Sequence, residues 1–498
     1  LISELADVAS KRAYVRDRLI PALDLRPFID GQFLDTVSEA TLDVVDPMTQ
    51  ETLATMPCAG EEDVAAAVTA ARLAFDEGPW PQMHGRERAR RLLALADLIE
   101  QARDDLALLE STDAGKRLSG VSGWDIPNAA EVYRYYAGWA DKISGETLPS
   151  LPDVEMSVHL EPVGVCAAIV PWNFPFPCIA WKIAPALAAG CTVVVKSAER
   201  APLSAQYLGR LVAEAGIPDG VVNVVMGRGE EAGRALVADP RVDKVTFTGE
   251  AATAQEIVRS SLGHMPRVTF ELGDKTPNVI LADAKLEDAI PAAASGAFGV
   301  SGQNCCAGSR LVVDRRVYQE VVEGVAAIAG ERKLGDPLDE STDQGPQIDL
   351  AHVSRIDGYV TAATAAGANC IVGGEPTGDG GQFYRPTLLA DVTSEMAISR
   401  EEVFGPVGAV IPFDGLDQAI EVANDRDFGL AAAVWTQDER SAAQFARRVR
   451  SGTCWINCYE YFDSVAPWGG RKLSGHGREL GARGLGEFLE SKTIVRVP

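Results

Sequence analysis

The sequence predicts an α/β protein with two lobes, each built on a parallel sheet. Three observations point to it. At 498 residues the chain exceeds what one ordinary hydrophobic core accommodates, so about two or three domains are expected. Short β-branched runs, VGVCAAIV, CTVVVK, VVNVVM and KVTFTG, alternate with helical stretches such as CIAWKIAPALAAG and SAQYLGRLVAEAG. Strands that are apolar throughout and separated by helices belong to parallel sheets covered on both faces. The same texture then resumes after Glu271, which divides the sheet-forming sequence into two sets.

Taken in order, the first residues, LISELADVASKRAYVRDRLI, mix apolar and charged positions at helical spacing. They lack the uninterrupted apolar stretch of a signal peptide. Because the chain begins at Leu1 rather than methionine, residues upstream of it are expected. A turn-rich opening with FIDGQF and VDPMTQ follows, and residues 61 to 115 then read as amphipathic helices. The first strand set starts at about residue 163. The second comprises strand PNVILAD, helix EDAIPAAASGAFGV, strand RLVVDR, helix VYQEVVEGVAAIAG, and later AVIPF, AAAVW and CWINC. The two lobes should meet near residues 271 to 280. MSVHLEP and KTIVRV look like strands suited to pairing with another subunit. There is no fixed-period repeat and no low-complexity segment.

Composition narrows the function. The net charge is −25, from 71 acidic and 46 basic side chains. A surface that negative repels phosphodiester backbones, so nucleic acid is not the expected partner. Nine cysteines, odd in number and without CxxC spacing, suit a reducing compartment and give neither a disulfide framework nor a metal site. No apolar run reaches the length of a membrane span, so no membrane partner is expected and cytoplasm is the default location.

SGQNCCAGSR, residues 301 to 310, sets Cys305 beside Cys306. A free cysteine is most often a small buried hydrophobe. Adjacent side chains point in different directions, so one working thiol and one packing group is the arrangement expected if either works. A cysteine nucleophile usually finds its base in histidine, yet none of the five histidines sits in a dyad-like setting. Lys196 and Glu199 close the strand CTVVVK, where open parallel sheets bind their ligands; they suit an adenosine ribose or a solvated turn. In FTGE, Gly249 ends a strand and opens a helix suited to phosphate, although the charge of Glu250 would oppose a pyrophosphate if it pointed inward. No GxGxxG fingerprint exists. The three prolines of PWNFPFP fix a loop that can aim the Asn173 amide at one point, or that the amide merely caps. Glu271 in FELGDKTPN is either a surface acid or a base facing the cleft.

Together these segments resemble the aldehyde dehydrogenase superfamily of nicotinamide-dependent enzymes over nearly the whole chain. The motifs that carry the resemblance are PWNFP, KSAE, FTG, FELG, GQNCCA, EEVFGP and PWGGRKLSGHGRELG. The resemblance implies the nonacylating branch, because Glu271 is retained and argues for water rather than coenzyme A. It implies Cys305 as nucleophile, Glu271 as general base and Asn173 as the amide that stabilises the oxyanion. NAD is the implied cofactor, with NADP less favoured, held by Trp172, Lys196, Glu199, Gly249, Glu250, Glu402 and Phe404. The implied architecture is a nucleotide-binding domain at 1–138 and 163–270, a catalytic domain at 271–483, and a small β oligomerisation arm at 139–162 and 484–498. A homodimer or homotetramer should result. Departures from the family pattern are Ser197 for proline, Glu250 for serine, Ala254 for glycine and Asp274 for a second glycine after FELG; they bear on cofactor geometry.

Phe174, Trp181, Phe462 and Trp468 resemble a substrate-tunnel lining. PWGG and the pair Asn457, Cys458 are similar to betaine-aldehyde and aminoaldehyde enzymes, whose cationic substrates sit in aromatic cages. Gly299 stands where such enzymes often carry tryptophan, so the cage is incomplete. An uncharged aliphatic or aromatic aldehyde is the expected substrate.

Overall fold

A computed structural model describes residues 2–5 and 7–497 of the chain. Two large sheets dominate. The first orders its strands Gln32–Phe33, Phe28–Ile29, Val222–Met226, Thr192–Ser197, Val165–Ile169, Lys244–Gly249, Arg267–Leu272 and Gly475–His476. Its five central strands are mutually parallel. The second runs Asn369–Val372, Thr387–Ala390, Val407–Phe413, Arg310–Asp314, Pro277–Ile280, Ala431–Trp435 and Thr453–Ile456, parallel except at its first strand. A separate three-stranded antiparallel sheet joins Leu489–Arg496, Glu155–Pro162 and Glu146–Leu148. This is the α/β fold of two Rossmann-like sheets with a small β arm. The strand Gly475–His476 comes from deep within the second half of the chain yet pairs with Phe270 and Glu271 in the first sheet.

Burial explains the strand texture. Val165–Ile169, Val222–Met226 and Arg310–Asp314 are buried at every position, as strands covered on both faces must be. The helices Glu61–Asp76, Gly85–Gln101 and Arg103–Ala114 fill the amphipathic stretch. The helix Pro175–Ala189 differs, being almost wholly buried. Pro175 and Pro177 sit in its first turn, where missing N–H groups cost nothing, and Gly190 ends it with a left-handed backbone, φ 101°. Lys182 is its one buried charge, and that charge faces the site.

Candidate active site

The chain runs outward in the first sheet from Val165–Ile169 through Thr192–Ser197 to Val222–Met226, then returns to the other side of Val165–Ile169 with Lys244–Gly249. At such a reversal the connections leave the sheet in opposite directions, and the carboxyl ends of the two strands open a crevice. A cavity of about 870 Å³ lies there. Trp172, Asn173 and Phe174 enter it from the loop after Val165–Ile169, and Gly249 and Glu250 from the end of Lys244–Gly249. Lys196 and Glu199, Glu271, Cys305, Glu402 and Phe404 complete the wall. All three expected catalytic residues and all seven expected cofactor contacts therefore share one cavity.

Cys305 is delivered by a tightly held turn. After the helix Leu286–Phe298, Val300 and Ser301 take left-handed backbone, φ 50° and 55°, and Gly302 follows at φ 72°. A Cβ on Gly302 would lie 2.0 Å from the carbonyl carbon of Gly405, so only glycine lets this turn pack against the loop bearing Glu402 and Phe404. Gln303 is buried; its Oε1 accepts from the Ile348 amide at 2.9 Å, and its backbone oxygen accepts from Asn173 Nδ2 at 3.0 Å. Asn173 thus spends one amide hydrogen on the nucleophile loop and keeps another for a reacting group. The two sulfurs differ: Cys305 is partly exposed on the cavity, whereas Cys306 is fully buried. Hydrogen bonding to Cys305, and then burial, push the Cys306 thiol well above its ordinary pKa.

Glu271 is buried, and neither of its carboxylate oxygens has a hydrogen-bond partner. Burial first, and the nearby charge of Glu479 second, hold its pKa well above the ordinary carboxyl range. Glu479 is ion-paired with Lys182 at 2.5 Å, and Lys182 also donates to Thr248 Oγ1 at 2.7 Å. Glu479 is fixed in turn by paired backbone bonds with Trp468, 2.7 and 2.8 Å. This pair escaped sequence reasoning, since 297 residues separate its members.

The nucleotide side fits the implied dinucleotide. Glu199 Oε1 accepts from the Gly229 amide at 2.5 Å and from Lys196 at 3.3 Å, so Ser197 in place of proline leaves the carboxylate pinned beside the cavity. Glu402 Oε1 accepts from the Asp274 amide at 3.2 Å, and a Cβ at Gly273 would meet Glu402 Oε2 at 2.1 Å. That glycine makes room for the carboxylate. Burial pushes Glu402 up to about 8. Asp274, the family departure, turns its side chain inward, accepting from Ala431 N at 3.2 Å and Ser474 Oγ at 3.1 Å. It thereby ties the Gly273 turn to the second sheet. Ala254 is buried in the first lobe's core. His352, not anticipated, packs edge-on against Trp172 and Phe404, its Nε2 2.6 Å from the Phe404 carbonyl.

The expected substrate-lining residues form one aromatic cluster. Phe462 meets Trp181 at 6.0 Å, Trp468 at 4.8 Å and Trp124 at 5.9 Å between ring centroids. Trp124 also meets Phe174 edge-on at 5.9 Å, and Trp455 stacks on Trp468. Trp124 and Trp455 are additions that a single sequence could not distinguish from core residues. Lys116 lies 3.8 Å from the centre of the Phe174 ring and pairs with Asp125.

A crevice with a thiol, an unpaired buried carboxyl and two further carboxylates in its wall suits a thiol-dependent dehydrogenase of aldehydes, and the chain belongs to the aldehyde dehydrogenase family, whose model matches residues 33–494. It falls in the nonacylating branch of the NAD(P)-dependent superfamily. Among its relatives, the mitochondrial benzaldehyde dehydrogenase of Antirrhinum majus is 42% identical over 468 residues, 94% of this chain and 88% of that protein. The NAD+ complex of an aldehyde dehydrogenase from Bacillus cereus superposes with a TM-score of 0.93 at 45% identity, covering 95% of this chain and 96% of that one. Betaine aldehyde dehydrogenase from Staphylococcus aureus, in complex with NAD+, gives 0.95 at 38% identity, covering 97% and 98%. Among the described residues, no helix is long and apolar enough to cross a membrane.

Proposed function

We propose that the protein oxidises an uncharged aliphatic or aromatic aldehyde to its carboxylate with NAD and water, using Cys305 as nucleophile, Asn173 as oxyanion donor and Glu271 as base. NAD-dependent aldehyde oxidation through a catalytic cysteine is the activity of the class, and NAD is the cofactor. The observation that carries the residue assignment is the buried carboxyl of Glu271, without a partner, in the same cavity as Cys305 and the Asn173 amide.

The Cys305 thiolate adds to the aldehyde carbon and an alkoxide develops on the carbonyl oxygen. The remaining Asn173 amide hydrogen and the Cys305 backbone N–H stabilise that charge as it forms. When bound, the nicotinamide supplies the acceptor for the hydride whose departure leaves an acyl thioester on Cys305. Glu402 and Phe404 would hold the nicotinamide half, and Lys196 and Glu199 the adenosine ribose, with Trp172, Gly249 and Glu250 lining the same cavity. The carboxylate of Glu199 would repel a 2′-phosphate, which favours NAD over NADP. Glu271 takes a proton from water, and the resulting hydroxide hydrolyses the thioester.

Two features support an uncharged substrate. Gly299 stands where the resemblance to enzymes of cationic aldehydes would call for tryptophan, and Lys116 already occupies a face of Phe174, where a second cation would be repelled. The similarity to a betaine aldehyde dehydrogenase favours a cationic substrate as the second reading. We place the protein in the cytoplasm, in keeping with its nine free cysteines.

Steady-state assays with NAD across an aldehyde panel test this reading. Straight-chain and aromatic aldehydes should exceed betaine aldehyde in kcat/KM by about tenfold or more, a difference of roughly 1.4 kcal/mol. Cys305→Ala should abolish turnover and Cys306→Ala should retain most of it. An acyl group trapped from a slow substrate and located by mass spectrometry on Cys306 would overturn the assignment.

A further inference from the structure

Asn304, the residue before the nucleophile, joins the Cys305 loop to a strap that follows the strand Thr453–Ile456. Its Nδ2 donates to Glu460 Oε1 at 2.6 Å. Its Oδ1 accepts from the Cys306 amide at 3.3 Å and lies 3.4 Å from Cys306 Sγ and 3.8 Å from Cys305 Sγ. The adjacent strap residue, Tyr459, donates its hydroxyl to the Cys306 carbonyl at 2.7 Å. Asn457 anchors the strap at its root through paired bonds to the backbone of Thr436, both 2.9 Å. Asn457 and Glu460 both take left-handed backbone, φ 52° and 56°, a conformation that asparagine tolerates and that is uncommon for glutamate.

The orientation of the Asn304 amide is fixed by two partners with no choice. An ionised carboxylate only accepts and a backbone N–H only donates, so the NH₂ end must face Glu460 and the oxygen must face the Cys306 amide. The oxygen therefore also faces both sulfurs. A carbonyl oxygen accepts from a thiol and repels a thiolate, and the charge of Glu460 acts in the same direction.

We propose that Glu460, acting through Asn304, is a positioning residue that sets the pH at which Cys305 becomes a thiolate. The proposal rests on Cys305 being the nucleophile. With Glu460 ionised, the amide is locked with its oxygen toward both sulfurs. With Glu460 neutral, the charge is gone and the grip on the NH₂ end relaxes. Burial pushes Glu460 up to about 7, opposed by the Asn304 bond, so this change falls near neutrality. The titratable groups acting on the cluster are Cys305, Cys306, Tyr459 and Asp274, and Glu271 and Cys178 act on Cys305 from the cavity side, all of them acids.

The test is the rate of Cys305 alkylation by iodoacetamide as a function of pH, read by peptide mass spectrometry on the full-length enzyme. Glu460→Gln keeps an acceptor for the Asn304 NH₂ and removes the charge; the midpoint should fall by about half a pH unit or more. Asn304→Ser removes the carbonyl oxygen and should move the midpoint in the same direction. The double variant should shift no further than the larger single shift, because both act through one contact. Glu460→Asp, which retains the charge, should stay near the parent. Profiles of Glu460→Gln and Asn304→Ser that superimpose on the parent's, or move upward, would overturn the clamp. If Cys305→Ala is inactive while those profiles do not move, only the clamp fails; if Cys305→Ala turns over, the nucleophile assignment fails first.

Discussion

Glu271 can act as a base only after losing its proton, and burial together with the charge of Glu479 makes that loss difficult. Below its raised pKa the side chain is a neutral acid with nothing to accept a proton from water. The rate of thioester hydrolysis should therefore climb with pH as Glu271 ionises. Glu271→Gln is held permanently in the inactive form. In a single-turnover experiment this variant should still release a burst of reduced nicotinamide, then stall, with steady-state turnover lower by about 10²- to 10⁴-fold. Loss of the burst as well would mean that Glu271 is also needed to deprotonate Cys305. The sequence presents Glu271 as one acid among 71, and in isolation FELGD is as consistent with a surface turn. Its environment comes from Gly475 across an antiparallel pairing and from Glu479 and Lys182, which no local pattern links to it. Glu460 was hidden for the same reason, 156 residues from its partner Asn304.

Elements were far easier to read than contacts. The buried strands carry continuous Val, Ile and Ala because both faces are covered, and helices such as Glu61–Asp76 and Gly85–Gln101 carry an apolar stripe because only one face is. The turns between them were legible as motifs, although their reasons were not. FELG requires its glycine because the Glu402 carboxylate, which accepts from the next amide, 128 residues before it, rests against that backbone. Gly273→Ala would put a methyl group 2.1 Å from Glu402 Oε2, so the carboxylate must leave the Asp274 amide. If Glu402 holds the nicotinamide ribose as proposed, the KM for NAD should rise about tenfold, a loss of roughly 1.4 kcal/mol. The alkylation rate of Cys305 should be unchanged, since its loop is braced separately by Gln303 and Ser301. Titrating NAD at saturating aldehyde measures this, and an unchanged KM would remove Glu402 from the cofactor site.

At the scale of the whole molecule, the two lobes follow from the two strand sets, whereas the small antiparallel sheet acquires a meaning only once its register is known. The pairing of Leu489–Arg496 with Glu155–Pro162 sets Thr493 opposite Val158 and Val495 opposite Met156, with Ser491 opposite Leu160. Directly paired residues share a face, so Met156, Val158, Leu160 and Val495 line one side. The other side carries Glu155, His159, Glu161, Lys492 and Arg496 around Ile494, with Lys492 paired to Glu161. Leu489–Arg496 is exposed along its length and bonded on one edge only. A sheet with one apolar face, one charged face and a free edge is suited to receiving another chain. An isologous partner would cover the apolar face and extend the edge at once, giving a homodimer or a tetramer of two dimers. Light scattering at micromolar concentration should accordingly find no monomer in the parent protein. Val158→Glu, on the apolar face, should shift the population toward monomer, whereas Ser157→Lys, its neighbour on the charged face, should leave the assembly intact. The contrast between the two separates burial of this face from a general effect of altering the strand, and a stable monomer in the parent would show that the arm serves some other purpose.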